Sequence, residues 1–244
     1  MSKDKVAAII LGAGKGKRMN ADIPKVMMPV CGKPMIRHIL NTLEQVGVDE
    51  IVVVIAPDGD LVKKEVAPYK TAVQEKPLGT GHAALSANAA LKGFEGVVMV
   101  IFGDNPAMSK EVFAKAIQKV REGYAIVTLG VRPKYDNRYG RLKTKGDELL
   151  AIVEYKDANE EERKIELCNS DLMAFDGRYI FELLEQIGNH NAAGEFYLTD
   201  AVELARRQGL KCGYVENTEA IAGANTREDL ALLEEFLQSR ACQI

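Results

Sequence analysis

Leu11–Lys25 reads LGAGKGKRMNADIPK, and it follows directly on the apolar run Val6–Ile10. Such a run predicts a buried strand. The stretch after it places Gly12, Gly14 and Gly16 at every second position, then the cations Lys15, Lys17, Arg18 and, past Pro24, Lys25. Glycine lacks the Cβ that keeps a phosphate away from backbone N–H groups, and successive N–H groups in such a turn form an anion-binding concavity. The cations add charge-assisted contacts to the same anion. A strand, a glycine loop and a set of cations, in that order, point to phosphate chemistry.

Two familiar phosphate loops do not fit. A G-x-G-x-x-G dinucleotide loop would need glycine where Lys17 stands, and a G-x-x-x-x-G-K loop would need Ser or Thr where Arg18 stands. Glycine counting alone therefore leaves an ordinary strand-to-helix turn with solvated lysines as an equal reading. Arg18, the Pro24-Lys25 pair and motifs later in the chain favour a site.

The 244 residues suit one large α/β domain, or a domain with a small appendage. A net charge of −3 argues against broad electrostatic binding to nucleic acid, so phosphate affinity has to be local. No stretch is long and apolar enough to span a bilayer, and MSKDKVAAIIL lacks a cleavage site after its apolar run. Cys31, Cys168, Cys212 and Cys242 form no C-x-x-C pair and have no partnering His spacing. Reduced thiols in a cytoplasmic protein are the simplest expectation. His38, His82 and His190 fit no nucleophilic triad, and His38 sits in a helical pattern, where a structural role is expected.

Strands are predicted at Val6–Leu11, Glu50–Ala56, Thr71–Gln74 and Val97–Phe102. They alternate with helices at Pro34–Val46, Leu61–Val66, Thr80–Leu91 and from a Ser109 cap to Arg121. That alternation implies parallel strands covered on both faces. After about Ala125 the predicted strands Ala125–Val131, Leu142–Lys145, Leu149–Glu154 and Leu167–Phe175 have antiparallel character. Helices return at Arg178–Gln186, Thr199–Arg207 and Thr226–Arg240. The second half is expected to extend the same sheet and to form a lid-like lobe over it. The leucines of the last helix, Leu230, Leu233 and Leu237, fall at the spacing of a packing face.

Ligands in open α/β sheets sit beyond the carboxyl ends of the strands, where the glycine loop and Gly103-Asp104 both fall. A strand-end carboxylate suits Mg²⁺, which takes one or two protein oxygens plus phosphates; a lone Asp there is as often a turn residue. Gln74, followed by Leu78-Gly79-Thr80-Gly81-His82-Ala83, offers an amide able to pair with a base edge at a helix start, or merely a flexible loop. Tyr139-Gly140-Arg141, Glu154 and Asn169 offer open backbone, a carboxylate and an amide to sugar hydroxyls, though each alone reads as structural.

In order, AGKGKRM, Pro24-Lys25, Gln74, LGTGHA, Gly103-Asp104, Tyr139-Gly140-Arg141, VEYKDA, Asn169, EFYLTD and Gly223-Ala224-Asn225 resemble the sugar-1-phosphate nucleotidylyltransferases. The branch most similar is that of the bacterial N-acetylglucosamine-1-phosphate uridylyltransferase domains, and the likeness runs from about Val6 to Leu232. It implies an α/β, Rossmann-like, mostly parallel but mixed sheet flanked by helices, the nucleotide-diphospho-sugar transferase fold. It also implies a single domain over 1–244: a nucleotide-binding half to about residue 125, then a smaller sugar-binding lobe and C-terminal helix.

The resemblance further implies transfer of a uridylyl group from UTP to N-acetylglucosamine-1-phosphate, with Mg²⁺ as cofactor and neither nucleic acid nor membrane as partner. Arg18 and Lys25 would be catalytic. Leu11, Gly12, Ala13, Gly14 and Lys25 would hold the nucleotide phosphates; Gln74, Gly79 and Thr80 would read uracil. Asp104 and Asn225 would bind the metal, while Gly140, Glu154, Asn169, Tyr197 and Thr199 would line the sugar pocket.

The chain departs from that pattern at Gly12 (usually Ala), Lys17 (usually Thr or Ser), Lys76-Pro77, Phe102 (in place of Tyr) and Asn169-Ser170-Asp171 (in place of Asn-Thr-Gly). Asp171 puts a carboxylate beside the expected acetamido pocket, which leaves another sugar phosphate or nucleotide open. A nucleotide-sugar-binding module without turnover is also open. No hexapeptide repeats of an acetyltransferase domain occur in the sequence.

Overall fold

The computed structural model describes residues 4–14, 16, 23–133, 137–217, 223–224 and 226–241. In chain order the first half runs β1 (Val6–Leu11), the short hairpin β2 (Pro29–Val30) and β3 (Lys33–Pro34), α1 (Met35–Val46), β4 (Glu50–Ile55), α2 (Asp60–Glu65), β5 (Lys70–Val73), α3 (Thr80–Leu85), β6 (Val97–Phe102) and α4 (Lys110–Arg121). The second runs β7 (Ile126–Val131), β8 (Arg141–Lys145), β9 (Glu148–Val153), α5 (Glu160–Arg163), β10 (Cys168–Asp176), α6 (Ile180–Glu185), α7 (Ala201–Arg207), β11 (Cys212–Glu216) and α8 (Arg227–Ala241).

Among the described residues one nine-stranded sheet has the order β5-β4-β1-β6-β10-β7-β11-β9-β8. β5, β4, β1 and β6 are parallel. β10 then inserts antiparallel to both β6 and β7. The sheet is mixed, as expected, and the second half continues its strand pairing.

The alternation inside β1 shows how the layers form. Val6, Ala8 and Ile10 pack into one core with α1, α2 and α4; Ala7 and Ile9 pack into a second with α3, α6 and α7. A strand buried on both faces reads as a continuous apolar run, which is why VAAIIL and VVMVIF are legible as strands. The C-terminal leucines dock as expected: Leu233 is buried, with Leu230 and Leu237 beside it, against Val30 and Met35. His38 is structural, its Nε2 2.8 Å from the Val30 carbonyl.

Three expectations need correction. The helix expected over Thr80–Leu91 ends at Leu85 and resumes as a 3₁₀ turn at Asn88–Leu91. Ser86 Oγ donates to the His82 carbonyl, the back-bonding that bends helices. Ser109 precedes α4 but makes no side-chain cap bond. Thr199 lies in a 3₁₀ turn, Leu198–Asp200, rather than at the start of α7.

Candidate active site

Beyond the carboxyl ends of β1, β4 and β6 lies a cavity of about 940 Å³. Leu11, Ala13, Gly14, Lys25, Gln74, Gly79, Thr80 and Asp104 all line it, so the expected nucleotide residues converge from separate segments. At Gly14 an added Cβ would meet nothing within 4 Å among the described residues, so its backbone is open to a ligand on that side. Gly12 differs from expectation. Its N–H donates to the Val54 carbonyl at 2.8 Å, and a Cβ there would stand 3.0 Å from that same oxygen. Gly12 thus ties the loop to β4 and has no N–H left for phosphate.

The parallel pairing of β1 with β6 sets Leu11 opposite Phe102, so that the glycine loop and Asp104 leave the sheet side by side. Lys25 closes the gap, its Nζ bonded to Asp104 Oδ2. Asp104 Oδ1 is buried and has no hydrogen-bond partner among the described residues. An orphaned buried carboxylate oxygen at the rim of this cavity fits a hard cation that takes oxygen ligands. Asp104 therefore suits a divalent metal. Arg18 and Asn225, the other expected catalytic and metal residues, lie outside the described residues.

Gln74 is buried at the cavity wall. Its Nε2 donates to the Gly79 carbonyl at 3.1 Å and lies 3.2 Å from His82 Nδ1, which holds the amide rigidly. Gly79 adopts φ +121°. Thr80 Oγ1 accepts from the Leu198 N–H at 3.0 Å, so its hydroxyl binds the second half of the chain as well as lining the cavity.

The expected sugar residues form a second group. Glu154 Oε1 accepts from Thr199 Oγ1 at 2.9 Å, a Cβ on Gly140 would lie 3.4 Å from the same oxygen, and Asn169 N–H donates to the Gly140 carbonyl at 2.7 Å. Burial raises the Glu154 carboxyl pKa, against the lowering effect of the Thr199 bond. Thr199 is buried, so its visible task is to hold Glu154. Asn169 Oδ1 likewise accepts from Thr128 Oγ1. Tyr197 and Glu154 line an adjoining cavity of about 500 Å³ with Asp157 and Asp200. Burial, helped by the charges of Asp157 and Glu154, pushes the Tyr197 hydroxyl to about 12.

Asp171 lies elsewhere than expected. Rather than turning to the sugar group, its Oδ2 accepts from Asn105 Nδ2 at 2.7 Å, beside Asp104. Burial and the Asp104 charge raise its pKa to about 6. Arg141 is a further residue whose part the sequence concealed. Its buried guanidinium donates to Asn137 Oδ1 at 2.8 Å and the Tyr139 carbonyl at 2.7 Å, clamping the loop that carries Gly140. The only signal was its place next to Gly140.

Residues 8–196 match the family model of MobA-like NTP transferase domains. The chain belongs to that family. As an NTP transferase domain it is 44% identical, over 98% of its length, to the bifunctional protein GlmU of Paramagnetospirillum magneticum. To GlmU of Rhodospirillum rubrum it is 46% identical over 97%. It spans about half the length of these relatives, 54% of each. Among solved structures, a UDP-glucose pyrophosphorylase complexed with UDP-glucose superposes with a TM-score of 0.77. That match covers 97% of this chain and 99% of the other at 18% identity, a likeness of fold. The NTP transferase domain contains, among its described residues, no helix long and apolar enough to cross a membrane.

Proposed function

We propose that this NTP transferase domain transfers a uridylyl group from UTP to N-acetylglucosamine-1-phosphate or a related sugar-1-phosphate, releasing pyrophosphate. The observation that carries the reading is that Gly14, Lys25, Gln74 and Asp104, from four separate segments, line one cavity. The resemblance of the LGTGHA, VEYKDA and EFYLTD motifs to the N-acetylglucosamine-1-phosphate uridylyltransferase domains supports the choice of nucleotide and sugar. The GlmU relatives are similar across nearly all of this chain.

An oxygen of the sugar-1-phosphate attacks the α-phosphorus in line, a P–O bond forms, and the bond to the β-phosphate oxygen breaks. The attacking oxygen is already anionic, so no protein nucleophile is required. Catalysis then rests on holding the reactants and balancing charge. Lys25 stands at the meeting point of glycine loop and Asp104 and bears on the phosphates there. The open backbone at Gly14 accepts the nucleotide phosphates, and Gln74 offers Oε1 to the base. Glu154, held by Thr199, receives sugar hydroxyls. Asp104, with Asn225, would hold Mg²⁺, which supplies Lewis-acid neutralisation of phosphate charge.

The test is pyrophosphate release with UTP and Mg²⁺ against a panel of sugar-1-phosphates, with CTP, dTTP, ATP and GTP in place of UTP as controls. Turnover confined to UTP and N-acetylglucosamine-1-phosphate is expected. Turnover with a different pair would replace the substrate, and tight UTP binding with no turnover on any pair would overturn the reaction.

A further inference from the structure

Asp171, one of the chain's departures from the sugar nucleotidylyltransferase pattern, touches Asn105. Asn105 follows Asp104 at the end of β6, and Asp171 lies in the neighbouring β10. β10 is irregular at that point. Against β7, Asn169 pairs with Gly130 but Met173 with Thr128, so the stretch between them bulges out of the ladder. Bulges re-aim side chains. This one brings the Asp171 carboxylate to the Asp104 loop, where Oδ2 accepts from Asn105 Nδ2 at 2.7 Å and from Ser170 Oγ at 3.2 Å.

Both carboxylates share a pattern of engagement. Asp104 Oδ2 is bonded to Lys25 while Oδ1 is buried without a partner among the described residues. On Asp171 both hydrogen bonds fall on Oδ2, and none among the described residues falls on Oδ1. Lys25 balances one of the two negative charges. A second carboxylate drawn into a partly buried place without its own counter-charge is costly. Asn105 and Ser170 supply neutral hydrogen bonds that fix its orientation without cancelling its charge.

We propose that Asp171 contributes a second carboxylate to the divalent-cation site at Asp104, and that Asn105 is the residue that positions it. The inference rests on the reading of Asp104 as a metal residue given above. It makes this chain's site more negative than one with glycine at position 171, and so tighter for a hard dication. Asp171 thus bears on metal retention, and the acceptor sugar is left to the Glu154 group.

Binding of Mn²⁺ to the full chain, followed by electron paramagnetic resonance with and without α,β-methylene-UTP, tests this apart from turnover. Asp171→Asn should weaken Mn²⁺ binding about tenfold or more, and Asn105→Ala should weaken it by a smaller factor. UTP binding in EDTA should be unchanged in both variants, which shows that the fold is intact. Asp171→Gly provides the same test should the asparagine variant fail to fold. Unchanged Mn²⁺ affinity in the Asp171 variants, with Asp104→Asn still abolishing binding, would overturn this inference alone. Mn²⁺ binding indifferent to Asp104→Asn would overturn the metal reading beneath it.

Discussion

Gly79 stands where an added Cβ would fall 2.6 Å from the Phe196 carbonyl oxygen and 2.7 Å from its backbone nitrogen. The two segments are bonded at that point: Phe196 N–H donates to the Leu78 carbonyl at 2.8 Å, and Gly81 N–H to the Phe196 carbonyl at 2.8 Å. The wall of the nucleotide cavity is therefore fastened to the segment that carries Tyr197 and Thr199. Gly79→Ala meets both a left-handed φ of +121° and a backbone collision. It should lower stability by about 2–3 kcal/mol, a fall in Tm of about 4–12 °C for a chain of this size. Thermal unfolding checks this, and the KM values for UTP and sugar phosphate should both rise.

Gln74 lines the cavity, and its Nε2 is held by the Gly79 carbonyl and His82. Gln74→Leu keeps the size of the residue and removes the pairing group. Discrimination between UTP and CTP should fall about tenfold to a hundredfold, with kcat on UTP changing less. Competition between the two nucleotides in one assay measures the ratio.

Glu154 combines a carboxyl pKa raised by burial with a hydrogen bond from Thr199. The ionised form is the one that accepts from sugar hydroxyls. Acidification through the raised pKa should therefore increase KM for the sugar phosphate and leave KM for UTP nearly constant. Glu154→Gln should raise the sugar KM about tenfold and remove that acid limb. Initial-rate pH profiles of both proteins decide the point.

Asp200 has its carboxyl pushed up to about 6 by burial and then by Glu203 and Asp157. A folded-state pKa above the unfolded value means that ionisation costs stability. That cost is absent below the ordinary carboxylate pKa, grows as pH rises, and is fully present above about 6. Asp200→Asn should be more stable than the parent at pH 7.5 by about 1 kcal/mol, or about 2–4 °C in Tm, and equal to it near pH 4. Calorimetric scans at the two pH values test the sign.

The sequence made the parallel half of the sheet legible because burial on both faces leaves a continuous apolar signature in β1, β4 and β6. β11 escaped notice for a local reason. Gly213 interrupts its apolar pattern, and a Cβ there would collide with the Tyr124 ring at 2.5 Å, so the strand is specified by packing from outside itself. α5 carried a readable signal in Asn159 and Glu162, which form a reciprocal capping box. In the site, Gln74, Lys25 and Asp104 were legible from motif order. The backbone N–H of Gly12, spent on Val54, was hidden because hydrogen-bond partners across a sheet leave no local trace. The meeting of Asn105 with Asp171 was hidden by the insertion of β10 beside β6, which no spacing along the chain encodes.

That insertion has a consequence during synthesis. Until Cys168–Asp176 has left the ribosome, β6 is the outermost strand of the parallel half, and VVMVIF presents an unpaired ladder edge. An apolar edge of this kind pairs with any extended chain it meets. The growing polypeptide thus carries a sticky rim for the whole interval between the two strands, and fragments that stop short of β10 should aggregate where those that include it stay dispersed.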